Sequence, residues 1–253
     1  MKLKSIFIFL FLLLSQAYTQ DFKEMLRQAD ALVTFNESDF SAEYTIVREV
    51  PGKGQSTTVC IIFRRDKDNK YVILITEPAI NKGQGYLKLG DTVWFYDPES
   101  RKFNSTSSRE RFQNSIARNS DFTRSTLAQD YDVIKGERVM LGVYNCWLLS
   151  LKANNNEVNY PYSKIWISDD GLVRKIENYS LSQQLMRTIA IAGYQKIGNR
   201  YVPQKIIIVD NLSAVEIDGK TLYEKVQITI SKPSLKPLPD SVFSKAFLEN
   251  ITR

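Results

Sequence analysis

Proton transfer at neutral pH usually relies on imidazole, and this chain of 253 residues contains no histidine. That absence removes Ser-His and Cys-His nucleophile pairs, imidazole metal sites and the usual proton shuttle together. No serine is followed by lysine three positions later, and no G-x-S-x-G elbow occurs. In GYLKLGD, Gly85 and Gly90 stand at P-loop spacing, but Asp91 holds the position where the phosphate-binding lysine belongs. The run DKDNK, Asp66 to Lys70, resembles a calcium loop but lacks its glycine and distal glutamate, so it reads as a hairpin turn. Carboxylate pairs such as those of glycosidases are set by space rather than by spacing. Nothing in the sequence asks for them. The expectation is a protein with no catalytic residue, no metal and no cofactor.

What remains is a constellation suited to binding. The stretch GYLKLGDTVWFYDPESRKF, Gly85 to Phe103, is rich in aromatic residues. Within it Trp94 and Tyr96 share one strand face and Val93 and Phe95 the other. Both faces are apolar, so the strand is expected to be sandwiched, and which face meets a cavity stays open. Residues 101–124 then interleave Arg101, Lys102, Arg109, Arg111, Arg118 and Arg124 with Phe103, Phe112, Ile116 and Phe122. This pattern reads as an amphipathic flap, apolar towards a cavity and basic at the rim. The candidate binding residues are Trp94, Phe95, Tyr96, Phe112, Ile116 and Phe122, and the candidate rim residues are Arg109, Arg111 and Arg118. The plainer alternative is a loop that its aromatic residues pin to the core while the arginines stay solvated.

The elements that must position these residues follow from periodicity. Lys2 and Lys4, the apolar run Ile6 to Leu14 and the small residues Ser15 and Ala17 form a secretory signal peptide over residues 1–17, with cleavage between 17 and 20. The apolar run is too short to span a membrane. Residues 18–253 are expected to form a single domain. DFKEMLRQADALV places Phe22, Met25, Leu26, Ala29 and Leu32 at helical spacing. From Phe40 the period becomes two, through eleven or twelve strand-like segments joined by turns such as PGKGQ, RDKDNK, SDDG and IDGK. Turns this short dictate antiparallel neighbours in meander order. In the last strand Leu222, Val226, Ile228 and Ile230 are expected to share the dry face. Short helices are expected within Ser107 to Asp130 and in PDSVFSKAFLEN, the latter capped by Asp240 or Ser241. Cys60 and Cys146 lie in separate apolar runs. An exported protein could bridge them, but two separate buried thiols are the expected state. The net charge of +6 falls to about +4 once Lys2 and Lys4 are removed, too little and too dispersed for nucleic acid.

A long sheet with one dry face and little helix to cover it leaves a concave apolar cavity if it curls. The aromatic hairpin, SSRERF, NSDFT, SKIWISDDGLVRKIENYS, GNRYVPQKIIIVD and PDSVFSKAFLEN together resemble the outer-membrane lipoprotein-sorting family, the LolA/LolB-like proteins, from about Phe40 to Leu248. The most specific pieces are Trp94 to Pro98 and Arg109 to Phe122. The resemblance implies a mainly β fold, a single antiparallel sheet of about eleven strands curled into an unclosed half-barrel, with lid helices over an apolar cavity. It also implies a monomeric periplasmic carrier for acyl chains of lipoproteins or phospholipids, with transient membrane contact. An inner-membrane release complex and an outer-membrane acceptor would be its partners. No cysteine near the cleavage site offers a lipid anchor, as in the soluble carriers of the family. Any of Arg109, Arg111 and Arg118 could be the lid-latching arginine of that family. The alternative on the same scaffold is an envelope protein-interaction or stress-sensor module.

Overall fold

The structure, a computed structural model, describes residues 21–251; the leader read at 1–17 lies outside them. Helix α1 spans Phe22–Val33, and Asp21 caps it by accepting a hydrogen bond from the Glu24 amide at 2.9 Å. Its apolar stripe buries Leu26 and Ala29.

Two meanders follow, as the short turns require. The first comprises β1 (Phe40–Val50), β2 (Gly54–Arg65), β3 (Lys70–Glu77), β4 (Gly85–Leu89), β5 (Thr92–Asp97) and β6 (Lys102–Thr106). The second comprises β7 (Tyr131–Leu141), β8 (Tyr144–Ala153), β9 (Tyr162–Ser168), β10 (Val173–Tyr179), β11 (Leu185–Ile197) and β12 (Arg200–Asp210). A separate hairpin, β13 (Val215–Ile217) with β14 (Lys220–Leu222), leads into β15 (Lys225–Ser234). β15 inserts between β1 and β12, antiparallel to both, and so joins the meanders into one sheet of 13 strands. β6 and β7 form its two edges and do not pair, so the sheet is not closed into a barrel.

Two details differ from expectation. The sheet has 13 strands rather than about eleven, partly because Lys102–Thr106, read as the start of the flap, pairs with β5 as an edge strand. Leu222 belongs to the separate hairpin and is exposed, so the dry alternation of the last strand begins at Val226.

Cross-strand register puts one continuous apolar face across the sheet, because paired residues project to the same side. Ile165 pairs with Ile176, Ile176 with Ile189, Ile189 with Ile208 and Ile208 with Val226. A parallel row runs Ile191, Ile206, Ile228 and Ile46. At the β7 to β10 end this face is covered by α1, whose Leu26 and Ala29 pack on Leu149, Leu151, Ile165 and Ile167.

On the opposite face, a buried cluster among the described residues sits over β3 to β5. There the tail, a 3-10 turn at Asp240–Phe243 and helix α3 (Lys245–Ile251), buries Val242, Phe243 and Leu248 on Val72, Leu74, Leu87 and Tyr96. The N-cap of α3 is Ser244, whose hydroxyl accepts from the Phe247 amide at 3.2 Å, rather than Asp240 or Ser241. Leu248 sits where only a glycine permits it: a Cβ on Gly85 would lie 2.6 Å from Leu248 Cδ2 and 2.8 Å from the Ile73 carbonyl oxygen. Gly85→Ala is therefore expected to cost about 1–3 kcal/mol by overpacking, read as a lower denaturant midpoint at unchanged slope.

Candidate functional site

The chain leaves the sheet at one edge, β6, and re-enters at the other, β7. Residues 107–130 must therefore cross the concave face, and they do so as a plug. Its tip is a tight loop closed by an Arg111–Arg118 bridge and by the Phe112 amide donating to the Ala117 carbonyl at 2.8 Å. Gln113 and Asn114 take left-handed backbone, φ 48° and 55°, to make the reversal. Phe112 and Phe122 stack against each other at 4.6 Å between ring centroids, and reach Tyr86 at 4.9 Å and Tyr44 at 6.1 Å respectively. With Ile116 they fill the face over β1 to β5.

Hydrogen bonds and ion pairs tie the plug to its surroundings. Arg187, on β11 and only 6% exposed, donates from both terminal guanidinium nitrogens to Asp121 at 2.5 and 3.0 Å. Burial opposes the charge on Arg187, and Asp121 more than compensates, holding its pKa above the ordinary value. Arg118 donates to the Tyr160 hydroxyl at 3.1 Å and to the Arg109 carbonyl, and Arg109 donates to the Asn156 carbonyl. Asp30 of α1 accepts from Ser125 Oγ (2.6 Å) and from the Leu127 and Ala128 amides (3.1 and 2.8 Å), and so caps helix α2 (Leu127–Asp130) from a distance. Burial raises the Asp30 pKa against those three hydrogen bonds.

Between α1 and the plug Ile176, Ile189, Ile191 and Ile206 are only half-buried, while Ile208, Ile228 and Ile230 beside them are buried in the core. A cavity of about 910 Å³ opens there, floored by Ile176, Ile189, Ile191, Ile206, Ile208, Ile228 and Ile230. That lies at the upper end of ordinary ligand pockets. Polar groups form its margin, among them Arg187, Asp121, Tyr160, Ser163 and Asn178 towards one end and Arg64, Asn69, Lys88 and Arg124 towards the other. No group of three or more metal-ligating side chains occurs among the described residues.

The residues singled out from the sequence divide by place. Phe112, Ile116 and Phe122 come together in the plug, and Phe95 packs against them from β5. Trp94 and Tyr96 point to the opposite face, where Tyr96 lies under the tail and Lys245 sits over the Trp94 ring at 4.8 Å. The sandwiched strand is thus real, with Val93 and Phe95 on the concave side. Arg109 and Arg118 hold the plug, and Arg111 faces Asp210 at 3.8 Å. Arg187, a lone charge inside the apolar run MRTIAIAG, also ties the plug, to β11, and was not singled out from the sequence. That interruption was the available signal. The floor isoleucines were legible only as generic alternation. Cys60 and Cys146 are both buried and unpaired, and burial pushes both thiols up in pKa.

A second buried pair anchors the cavity end. Arg64 holds Asp66 through two hydrogen bonds at 2.7 and 2.9 Å, and Asp66 also accepts from the Phe35 amide at 2.8 Å. Burial acts against the Asp66 carboxylate, but Arg64 and these hydrogen bonds outweigh it and hold its pKa below 3.8. Hydrogen bonds from Arg65 do the same for Asp39. Lowered folded-state values mean stability that is present above the unfolded value and lost as pH falls through the folded one. The melting temperature is therefore expected to fall as pH drops below about 4, and Asp66→Asn to flatten that acid limb.

A family model described as "-like: Uncharacterized protein" matches residues 67–250. No curated protein matches the sequence. Among solved structures, the fold is similar to a LolA superfamily protein from Nitrosomonas europaea (TM-score 0.72, 23% identity, 89% of this chain and 98% of that one). A Vibrio parahaemolyticus domain assigned as an outer membrane lipoprotein-sorting protein matches with TM-score 0.75 and 16% identity over 90% and 97% of the two chains. A DUF1329 family protein from Desulfovibrio piger matches with TM-score 0.76 and 18% identity over 89% and 97%. All three likenesses lie below 25% identity, and what they share with this chain is the fold.

Proposed function

We propose, for a chain that belongs to the family matched over residues 67–250 and folds as LolA superfamily proteins do, that it is a periplasmic carrier of lipid or lipoprotein acyl chains. The observation that carries this reading is a cavity of about 910 Å³ lined by seven isoleucines, of which Ile176, Ile189, Ile191 and Ile206 are only half-buried. Exposed apolar surface of this kind needs a dry occupant, and an acyl chain gains about 0.8 kcal/mol per buried CH₂ on leaving water. The assignment of the Vibrio parahaemolyticus neighbour to lipoprotein sorting supports the same class of cargo. The leader peptide read in the sequence supports export, and transfer would run from an inner-membrane release complex to an outer-membrane acceptor. Residues 18–253 act as one unit in this reading. Phe112, Ile116 and Phe122 form the plug that bounds the cavity, Phe95 supports it, Trp94 and Tyr96 brace the wall from behind, and Arg109, Arg111 and Arg118 shape the rim.

The test is native mass spectrometry of protein purified without detergent from its own periplasm, followed by denaturation and identification of what is released. Phospholipid or acylated protein in stoichiometric amount is the expected result. An empty cavity that also stays empty after incubation with lipid vesicles overturns the carrier. The interaction-module alternative draws on the tightly packed half of the face beneath Phe112 and Phe122. It would then be the reading to pursue.

A further inference from the structure

One buried charge in the cavity wall is used neither by the latch nor by the floor. Lys88, on β4, faces the concave side and is 6% exposed, and its ammonium forms no ion pair among the described residues. It donates to the amide oxygen of Asn69 at 2.5 Å. Asn69 is fixed in turn by the backbone: it turns β2 into β3 with φ 51°, and its own amide nitrogen donates to the Gly90 carbonyl at 3.2 Å. Burial disfavours the Lys88 ammonium, exposed Asp91 relieves it in part, and Arg124 of the plug adds repulsion. An unneutralised cation in such a place is costly unless something binds it.

Two carboxylates stand near Lys88: Asp91 lines the same cavity, and Asp66 walls an adjoining void. Arg64, Asn69 and Arg124 line both the cavity and that void of about 10 Å³, room for about one oxygen-sized atom. Tyr71, the cross-strand partner of Lys88, walls that void, and its hydroxyl is buried without a hydrogen-bond partner among the described residues. Asp66 pairs with Arg64 and also feels the charge of Arg124, whose own hydrogen bond goes to the neutral Gln129 at 3.2 Å. Lysine and arginine offer donors and no acceptor. The corner therefore holds three cations, Arg64, Lys88 and Arg124, against two carboxylates, Asp66 and Asp91, with an idle hydroxyl beside an apolar floor.

We propose that the Lys88, Arg124 and Tyr71 corner binds the oxyanion of an amphiphile, a phosphate or carboxylate headgroup, whose chains lie on the isoleucine floor. The inference rests on the carrier reading and makes it specific: the cargo is anionic. Lys88 acts as a point charge on the headgroup, Arg124 supplies a planar fork, and Tyr71 donates its free hydroxyl.

The experiment compares binding of phosphatidylglycerol, diacylglycerol with the same chains, and oleate, with inorganic phosphate as competitor. Wild-type protein is expected to prefer phosphatidylglycerol over diacylglycerol by at least about tenfold, equivalent to about 1.4 kcal/mol. Lys88→Gln and, separately, Arg124→Gln bring that ratio towards one, and Lys88→Arg restores it; circular dichroism checks that each variant folds. Oleate preferred like phosphatidylglycerol supports the site and shows that charge rather than phosphorus is read. A wild-type ratio near one overturns the anion site and leaves the carrier standing. Failure to bind any of the three lipids overturns the carrier reading itself. Inorganic phosphate that binds without lipid and is lost in Lys88→Gln overturns the headgroup assignment in favour of a free anion.

Discussion

Replacing Ile206 with tryptophan is expected to reduce acyl-chain binding at least about tenfold while leaving the fold in place. Ile206 is half-buried and sits in the middle of the row Ile191, Ile206, Ile228, with the cavity directly above it. Enlarging a residue in a packed core forces strain of about 1–3 kcal/mol, but here the added ring enters open space. A large aromatic side chain also suits a strand. The substitution thus removes cavity volume, at the cost of the partial contact that Ile206 makes with the core. Displacement of a fluorescent fatty acid, measured beside the melting temperature, is the readout. Unchanged affinity at unchanged stability would show that the ligand does not lie on the floor.

The second large effect belongs to the latch. Arg187→Met is expected to destabilise the protein by about 3–5 kcal/mol, because it leaves the buried Asp121 carboxylate unpaired. Asp121 also accepts from the Arg118 amide at 2.8 Å, so the lost charge lies in the turn that carries Phe122. The double substitution Arg187→Met with Asp121→Leu is expected to recover much of the loss, since a buried ion pair replaced by apolar groups is often near neutral. Urea denaturation of the two single variants and the double variant closes the cycle. Additive losses would mean that the pair does not act as a unit. If the plug is also a gate, the double variant binds lipid with altered on- and off-rates at similar stability.

The fold was legible to the extent that it is local. The stripe of α1, the alternation of twelve of the strands, and the Asn and Gly turns each follow from contacts between near neighbours in the chain, as at Asn69 between β2 and β3. β6 escaped because NST carries no hydrophobic alternation; its strand state comes from pairing with β5. Ser244 displaced Asp240 as the cap because the chain makes a 3-10 turn first, and Val242 and Phe243 are held there by the sheet. For the binding site, the amphipathic character of residues 101–124 was readable, but its direction was not. Trp94 and Phe95 are equally apolar, and only the tail that docks on β3 to β5 decides that Trp94 faces away from the cavity.

The sequence by itself determined what the protein cannot do by imidazole chemistry, that it builds an antiparallel meander with an amphipathic crossing segment, and that its two thiols are core residues. These follow from residue type and from periods of two and 3.6, which are properties of neighbours along the chain. The tertiary structure alone decided where the cavity lies, that Arg187 pairs with Asp121 of the plug, and that Lys88 is buried without an ion pair among the described residues. Each of these depends on β15 bringing β1 beside β12 and on the plug having to span two unpaired edges, contacts between residues tens to hundreds of positions apart. Periodicity carries no record of such contacts, because it states which face is dry and not what stands opposite.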